Sequence, residues 1–161
     1  MGSNEILQKL FDLLGKSEKN TDLIELFKQL SINQPLPRAH KDTGSTLLEE
    51  SIDGGMHIGF TNSEDLPQYE EDNPFMEGEL ILTDIYVISP KLFENNVLPL
   101  GLKSSNTLQE IKKTFGEPEW TRSYGQAYRW SINYLKLMLT FDENNENLIK
   151  ISYMIPQSFH L

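Results

Sequence analysis

The sequence has 161 residues, of which 38% are hydrophobic and 24% charged. This composition is typical of a globular chain and argues against a disordered protein or a coiled-coil rod. The absence of cysteine excludes disulfides and cysteine-based zinc sites. No apolar run is long enough for a membrane span and no secretory signal is visible, although Met1-Gly2-Ser3 resembles a cloning remnant that would hide a removed leader.

Acidic residues are concentrated in the first half of the chain. Residues 1–90 hold 17 acids and 6 bases, whereas residues 91–161 hold 7 acids and 8 bases. The stretch 42–84 contains 12 acids and no lysine or arginine. Such a field repels nucleic acids and anionic membranes, and it attracts a basic protein or a metal ion. We therefore expect no nucleic-acid or membrane partner, with a solvated acidic surface as the simpler alternative to a basic partner.

The N-terminal segment is predicted to form two helices. Apolar residues at helical spacing predict a helix over 4–15 that ends at Gly15, and a second helix over 22–30 that is capped by Thr21 or Asp22. A short polar link joins them, so the sequence predicts an N-terminal helical hairpin.

The rest of the first half is predicted to form strands around an acidic loop. An Asp53-Gly54 turn between two apolar alternations is typical of a β-hairpin. Prolines and clustered acids oppose regular structure in the loop. In chain order, the predicted elements are strands over 47–52 and 56–60, the acidic loop over 61–78 and a strand over 79–89.

The second half is predicted to form one helix and four strands. Thr107 followed three residues later by Glu110 predicts a capping box for a helix over 107–115, and Gly116 ends that helix. Alternating and β-branched residues then predict strands over 120–124, 127–132, 135–141 and 148–155.

The two halves, 1–90 and 91–161, resemble each other in the order of their predicted elements. Three pairs of segments align: 22–30 with 107–115, 51–60 with 131–141, and 82–89 with 148–156. The predicted fold is α+β, in which each half packs its helix or helices on one face of a three- or four-stranded antiparallel meander. Edge-to-edge joining of the halves would make one continuous domain with one sheet face left open. Chance similarity between two α+β halves is the alternative.

A family resemblance supports this modular reading. The stretch 98–118 and the strands after it are similar to the helix–meander modules of the beta-lactamase-inhibitory-protein and SmpA/OmlA type, and to those of small bacterial immunity proteins. The matching positions are Gly101, Phe115, Gly116, Pro118, Trp130, Phe141 and Leu148. The resemblance implies a non-catalytic module that binds and masks another protein through its sheet. Because the lipobox cysteine of the lipoprotein members is missing, it favours a soluble, cytoplasmic inhibitor, or a periplasmic one if a leader was removed.

Two groups of residues are predicted to bind the partner. Aromatic side chains supply large contact area with few rotatable bonds, and acids would steer a basic partner. The acidic group is Glu64, Asp65, Glu70, Glu71, Asp72 and Glu77, and the aromatic group is Trp120, Tyr124, Tyr128 and Trp130. For Trp130 the competing interpretation is that it fills the core against Ile111 and Phe115.

No motif in the sequence indicates catalysis. His40, His57 and His160 lack metal-ligand spacing, and neither a nucleophile elbow nor a phosphate loop occurs. We therefore predict no catalytic residue, metal or cofactor. The expected function is that of an immunity or inhibitor protein that occludes a cognate toxin or enzyme, and homodimerisation stays open. The alternatives are a non-catalytic cell-envelope assembly or ligand-binding module and, third, a small enzyme.

Overall fold

The computed structural model describes residues 1–34, 36, 45–47, 52–66, 78–93, 96–122 and 126–156. Within these ranges the fold is α+β, with three α-helices and one antiparallel sheet. The helices are α1 (Ser3–Asp12), α2 (Thr21–Gln29) and α3 (Leu108–Phe115). The strands are β1 (Ser45–Leu47), β2 (Met56–Asn62), β3 (Leu80–Val87), β4 (Trp120–Thr121), β5 (Ala127–Ile132), β6 (Leu135–Phe141) and β7 (Leu148–Met154).

The ends of α1 and α2 differ from the prediction. Helix α1 stops at Asp12, before Gly15, because the backbone turns out of the helix at Leu13. The cap of α2 is Asn20, whose side-chain oxygen accepts hydrogen bonds from the amides of Asp22 and Leu23. The predicted caps, Thr21 and Asp22, are wrong because an asparagine one position earlier already satisfies the free amides of the first turn.

The predicted capping box of α3 is confirmed. Thr107 Oγ1 accepts a hydrogen bond from the Glu110 amide, and Glu110 Oε1 accepts one from the Thr107 amide. Gly116 follows the helix at φ 82°, a conformation that favours glycine. The start and end of α3 are therefore set by its local sequence.

The sheet has the strand order β1-β2-β3-β7-β6-β5-β4, and all neighbouring strands are antiparallel. Its centre is the pairing of β3 with β7, in which Ile85 lies opposite Tyr153. Strand β1, which pairs with β2, shares only Leu47 with the strand predicted over 47–52, and Ile52 forms an isolated bridge with Met56. Residues 48–51 and 123–125 lie outside the described residues, so the full lengths predicted for those two strands stay predictions.

The core lies on one face of this sheet. Two edge-to-face ring pairs join helices to strands: Phe27 of α2 packs on Phe60 of β2 at 5.9 Å, and Phe11 of α1 packs on Tyr153 of β7 at 5.3 Å. All three helices contribute apolar residues to the same buried cluster, which includes Leu7, Leu10, Leu23, Leu26, Ile111, Ile58, Ile85, Leu137, Leu139 and Ile151. The described helices therefore share one face of the sheet and leave the other free of helices.

The link between α1 and α2 pairs with the sheet. The Gly15 amide donates to the Leu82 carbonyl at 2.8 Å, and the Leu82 amide donates to the Lys16 carbonyl at 3.0 Å. The Glu18 amide adds a third bond to the Leu80 carbonyl at 2.8 Å. Strand β7 pairs only with the C-terminal part of β3, so the link satisfies backbone groups that β7 does not reach.

Candidate functional site: the polar face of the sheet

The strand register aligns six side chains in a row across the helix-free face. The row runs from Trp120 on β4 through Arg129, Met138, Ser152 and Tyr86 to His57 on β2. A second row beside it holds Ser131, Lys136, Met154, Asp84 and Gly59. These two rows define the polar face. Directly opposite residues on adjacent strands lie about 5 Å apart at their Cβ atoms, so the side chains of each row are neighbours. Ser152, Asp84 and Gly59, in the middle and at the β2 side of these rows, are buried, so the accessible part of the face is mainly at its β4–β6 end.

The polar face follows from the alternation of side chains along each strand. In β5, the core residues Tyr128 and Trp130 alternate with Arg129 and Ser131, which point the other way. In β7, Ile151 and Tyr153 are in the core, which places Ser152 and Met154 on the polar face. The sequence therefore encodes two-sided strands, of which one side is apolar and the other mixed.

A charged cluster lies at the β4–β6 end of the polar face. Lys136 Nζ lies 3.0 and 3.1 Å from the two carboxylate oxygens of Glu119, and Ser131 Oγ donates to Glu119 at 2.7 Å. Arg129 Nε lies 3.5 Å from Glu119 Oε1, and the Arg129 guanidinium stacks over the Trp120 ring with Cζ 5.4 Å from its centroid. We call Glu119, Trp120, Arg129, Ser131 and Lys136 the Glu119 cluster. It fixes an exposed indole and two cations in one orientation.

The carboxyl group of Glu119 is ionised more readily than an ordinary glutamate. Partial burial, the largest single influence, would raise its pKa. The hydrogen bonds from Ser131 and Lys136, with the positive charges of Lys136 and Arg129, together outweigh burial and hold the pKa of Glu119 below its usual value. The cluster therefore carries one negative and two positive charges at neutral pH.

The β2–β3 part of the polar face contains a buried polar group. Asp84 is only 7% exposed, and its Oδ2 accepts a hydrogen bond from Thr83 Oγ1 at 2.7 Å. On the neighbouring strand, a Cβ at Gly59 would lie 3.2 Å from that same oxygen, so glycine leaves room for the carboxylate. Burial raises the pKa of Tyr86, and the charge of Asp84 and a hydrogen bond to it raise the pKa further. Lys150 Nζ lies 5.2 Å from the centre of the Tyr86 ring, which forms a second cation–aromatic pair on this face.

The structure does not bring the predicted aromatic group together. Trp120 lies on the polar face and is 37% exposed, whereas Tyr128 and Trp130 are 8% and 2% exposed and belong to the core. Trp130 Nε1 donates to the Gly116 carbonyl at 2.9 Å, which ties β5 to the end of α3. The prediction that Tyr128 and Trp130 offer contact surface is therefore corrected, and the core interpretation of Trp130 holds. Tyr124 lies outside the described residues.

Only two of the predicted acidic residues can be placed. Glu64 is exposed and Asp65 partly exposed, in a single 3-10 turn that follows β2. Glu64 accepts hydrogen bonds from the Gly78 amide at 2.9 Å and from Ser63. Strand β2 is five strand spacings from β4, about 24 Å, so this turn is well separated from Trp120. The other four predicted acids, Glu70, Glu71, Asp72 and Glu77, lie outside the described residues.

Sequence reasoning missed several residues of the polar face as site candidates. Arg129, Lys136, Lys150 and Tyr86 were visible as polar or amphipathic positions that alternate with apolar ones. Alternation predicts the face of each residue within its own strand. It does not predict which residues of different strands lie opposite each other, because register depends on turns and on long-range pairing.

Neither a cluster of metal ligands nor a membrane-length helix is found among the described residues. No group of three or more histidines, aspartates and glutamates is placed to hold a metal ion within those ranges. Among the described helices, none combines the length and apolarity required to cross a bilayer.

Comparison with known proteins gives little guidance. No protein-family model and no curated protein matches the sequence. One solved structure is similar to this chain, a DUF4309 family protein (YjgB) from Bacillus subtilis subsp. subtilis str. 168. The two share 12% sequence identity and a TM-score of 0.44, over 95% of this chain and 97% of the other. At this level the similarity supports no conclusion about fold or function.

Proposed function

We propose that this chain is a non-catalytic binding protein of the immunity or inhibitor type, which holds a protein partner on its polar face. The observation that carries the proposal is the six-residue row from Trp120 to His57 on the side of the sheet that the described helices leave free. The row combines tryptophan, arginine and tyrosine, the residue types that contribute most to binding energy at protein interfaces.

The dimensions of the face fit a protein partner. Six strands at about 4.8 Å spacing make the face roughly 24 Å wide, with the buried side chains of Ser152 and Asp84 near its centre. A standard interface buries about 800 Å² on each partner, a patch approximately 28 Å across. The turn that carries Glu64 and Asp65 follows the far end of β2, so it lies outside a patch of that size centred on Trp120 and would act at a distance, by attracting the partner.

The surface carries two kinds of charge. Arg129, Lys136 and Lys150 are on β5–β7, whereas Glu64 and Asp65 follow β2 at the other side. We propose that Glu64, Asp65 and the acidic residues that follow them in the sequence attract a basic region of the partner. The Glu119 cluster, with the exposed ring of Trp120, would then anchor the bound partner. Complementary charges mainly raise association rates, and buried aromatic anchors slow dissociation.

We also propose that the two halves are related modules. What supports this is the strand order, in which the meander β1-β2-β3, preceded by α2, meets the meander β5-β6-β7, preceded by α3, through its last strand. A duplicated helix–meander unit would generate this arrangement by pairing the last strands of its two copies.

Binding of the product of the adjacent gene would test the proposal, with affinity measured by calorimetry. Trp120→Ala should weaken binding about 30-fold, the equivalent of about 2 kcal/mol for a buried aromatic anchor. Tyr134→Ala is the matched control, because Tyr134 is an aromatic residue that is 90% exposed in the β5–β6 turn. Equal affinities of the Trp120→Ala variant and the wild type would show that the polar face is not the binding surface.

A ligand-binding role is the second candidate. It is favoured by a cleft of about 690 Å³ that lies between the segment before α3 and the start of β7. This volume is in the range of small-molecule sites.

A further inference from the structure

The cleft is formed by three segments that meet at one end of the core. They are the 3-10 turn Pro90–Phe93, the loop over 96–105 and the residues at the start of β7. Its volume is about 690 Å³. Leu148, which is 5% exposed and part of the core cluster, contributes apolar surface, and Val97 is an apolar wall that is 60% exposed.

The loop before α3 is held firmly in place. Leu98 and Leu102 are 2% and 1% exposed and pair with each other through a backbone hydrogen bond of 2.7 Å. The buried hydroxyl of Tyr153 donates to the Pro99 carbonyl at 2.9 Å. The Lys103 amide donates to the Asn106 side chain at 2.7 Å, just before α3 begins. This wall of the cleft is therefore formed before any ligand arrives.

The opposite walls are fixed in the same way. Phe93, at the end of the 3-10 turn that carries Lys91, is fully buried. In the turn before β7, Asp142 accepts from the amide of Asn147 at 3.2 Å and from its side-chain nitrogen at 2.6 Å. A site whose walls are fixed in advance loses little entropy on binding, which favours specific recognition of a small ligand.

The polar lining of the cleft favours an anion. Lys91 and Lys103 both line it, and neither has an ion-pair partner among the described residues. Ser104, Ser105 and Asn147 add hydroxyl and amide groups, and the described lining contains no aspartate or glutamate. Asp142 lies behind Asn147, but its carboxylate already accepts hydrogen bonds from that turn. Two lysines that line one cleft, without an ion pair to any described residue, differ from the acidic balance of a chain whose net charge is −10.

We propose that this cleft binds a small phosphate monoester. The phosphate lies between Lys91 and Lys103 with Ser104 and Ser105 as hydrogen-bond donors, and the apolar part of the ligand packs on Val97 and Leu148. A phosphate monoester is close to doubly charged at neutral pH and matches two ammonium groups, whereas a monocarboxylate leaves one of them unpaired. This site is separate from the polar face, and its existence does not depend on the proposed immunity function.

The test uses phenyl phosphate as the probe, because it combines a phosphate with a compact apolar ring. Titration of the full chain, followed by amide chemical shifts, should give saturable shifts at Val97, Lys103, Ser104 and Ser105. Inorganic phosphate should bind more weakly at the same positions, since it lacks the apolar part. Benzyl alcohol, which has the ring but no charge, should not bind.

Paired charge variants separate a built site from general attraction. Lys91→Ala combined with Lys103→Ala should raise the Kd for phenyl phosphate at least about tenfold. Lys28→Ala combined with Lys113→Ala removes the same charge from exposed helix positions and should change the Kd by less than about twofold. Lys91→Arg with Lys103→Arg should keep most of the affinity, which guards against a folding defect. Absence of saturable binding to the wild type, equal losses in both alanine pairs, or equal binding of benzyl alcohol would each overturn the proposal.

Discussion

Replacement of Gly116 by alanine tests how α3 is joined to the sheet. Gly116 has φ 82° and ψ −163°, a backbone region that only glycine populates freely. No heavy atom lies within 4 Å of the position that a Cβ would take, so the added methyl group meets no steric clash. The residue is also held from both sides, because its amide donates to the Lys112 carbonyl at 2.8 Å and its carbonyl accepts from Trp130 Nε1 at 2.9 Å.

The expected loss of stability in Gly116→Ala depends on whether the backbone at this position keeps its conformation or relaxes. If the backbone keeps its conformation, strain lowers the free energy of unfolding by about 1–3 kcal/mol. If the backbone relaxes instead, the Trp130 hydrogen bond is lost, at a cost of about 1 kcal/mol or more because the indole of Trp130 is buried. Either response predicts a loss of at least about 1 kcal/mol, or approximately 2–4 °C in Tm for a chain of this size.

Urea unfolding, followed by far-UV circular dichroism and by tryptophan fluorescence, measures the effect of Gly116→Ala. Lys113→Ala in the same helix is the control, because Lys113 is exposed and alanine is a strong helix former. We expect the control to change stability by less than about 0.5 kcal/mol. Wild-type stability and an unchanged fluorescence spectrum for Gly116→Ala would refute the claim that this backbone geometry and the Trp130 bond hold α3 on the sheet.

Three further substitutions have defined outcomes. Tyr153→Phe removes a buried hydroxyl that donates to the Pro99 carbonyl, and calorimetry should show that the free energy of unfolding falls by about 1–2 kcal/mol. An unchanged Tm would show that this hydrogen bond does not stabilise the fold. Thr107→Ala removes half of the capping box, so urea unfolding should show a loss of about 1 kcal/mol, and full stability would mean that the cap contributes nothing. Glu119→Gln should lower stability by about 0.5 kcal/mol at pH 7, since Glu119 is only partly buried. The pKa of Glu119 is lowered in the folded state, so its contribution is present above the unfolded pKa of about 4.3 and is lost as the pH falls through the folded value. If the free energies of unfolding of the wild type and of Glu119→Gln differ by the same amount at pH 7 and at pH 3, this assignment to Glu119 is wrong.

Local signals predicted the elements of the second half well. The capping box of α3, the end of that helix at Gly116 and the strands β5 and β6 are at their predicted positions, because each depends on neighbouring residues. The cap of α2 was misplaced, because Asn20, Thr21 and Asp22 are all good caps and local sequence did not distinguish them. Prediction was therefore best where one residue dominated the local choice.

The candidate site depended on information that one strand does not contain. Alternation correctly placed Tyr128 and Trp130 on one face of β5 and Arg129 on the other. It did not show that Tyr128 and Trp130 face the helices while Trp120 faces away, because that depends on which side the three helices cover. The alignment of Trp120 with Arg129 is a property of strand register, which arises from pairing across the whole sheet.

Lysine acetylation of the complex with the adjacent gene product tests the central claim most directly. The account predicts that Lys136 and Lys150, on the polar face, become protected when the partner binds. Lys28 and Lys113, on exposed helix surfaces, should react at the same rate in the free and bound chain. Protection of the helix lysines, with Lys136 and Lys150 still as reactive as in the free chain, would contradict it.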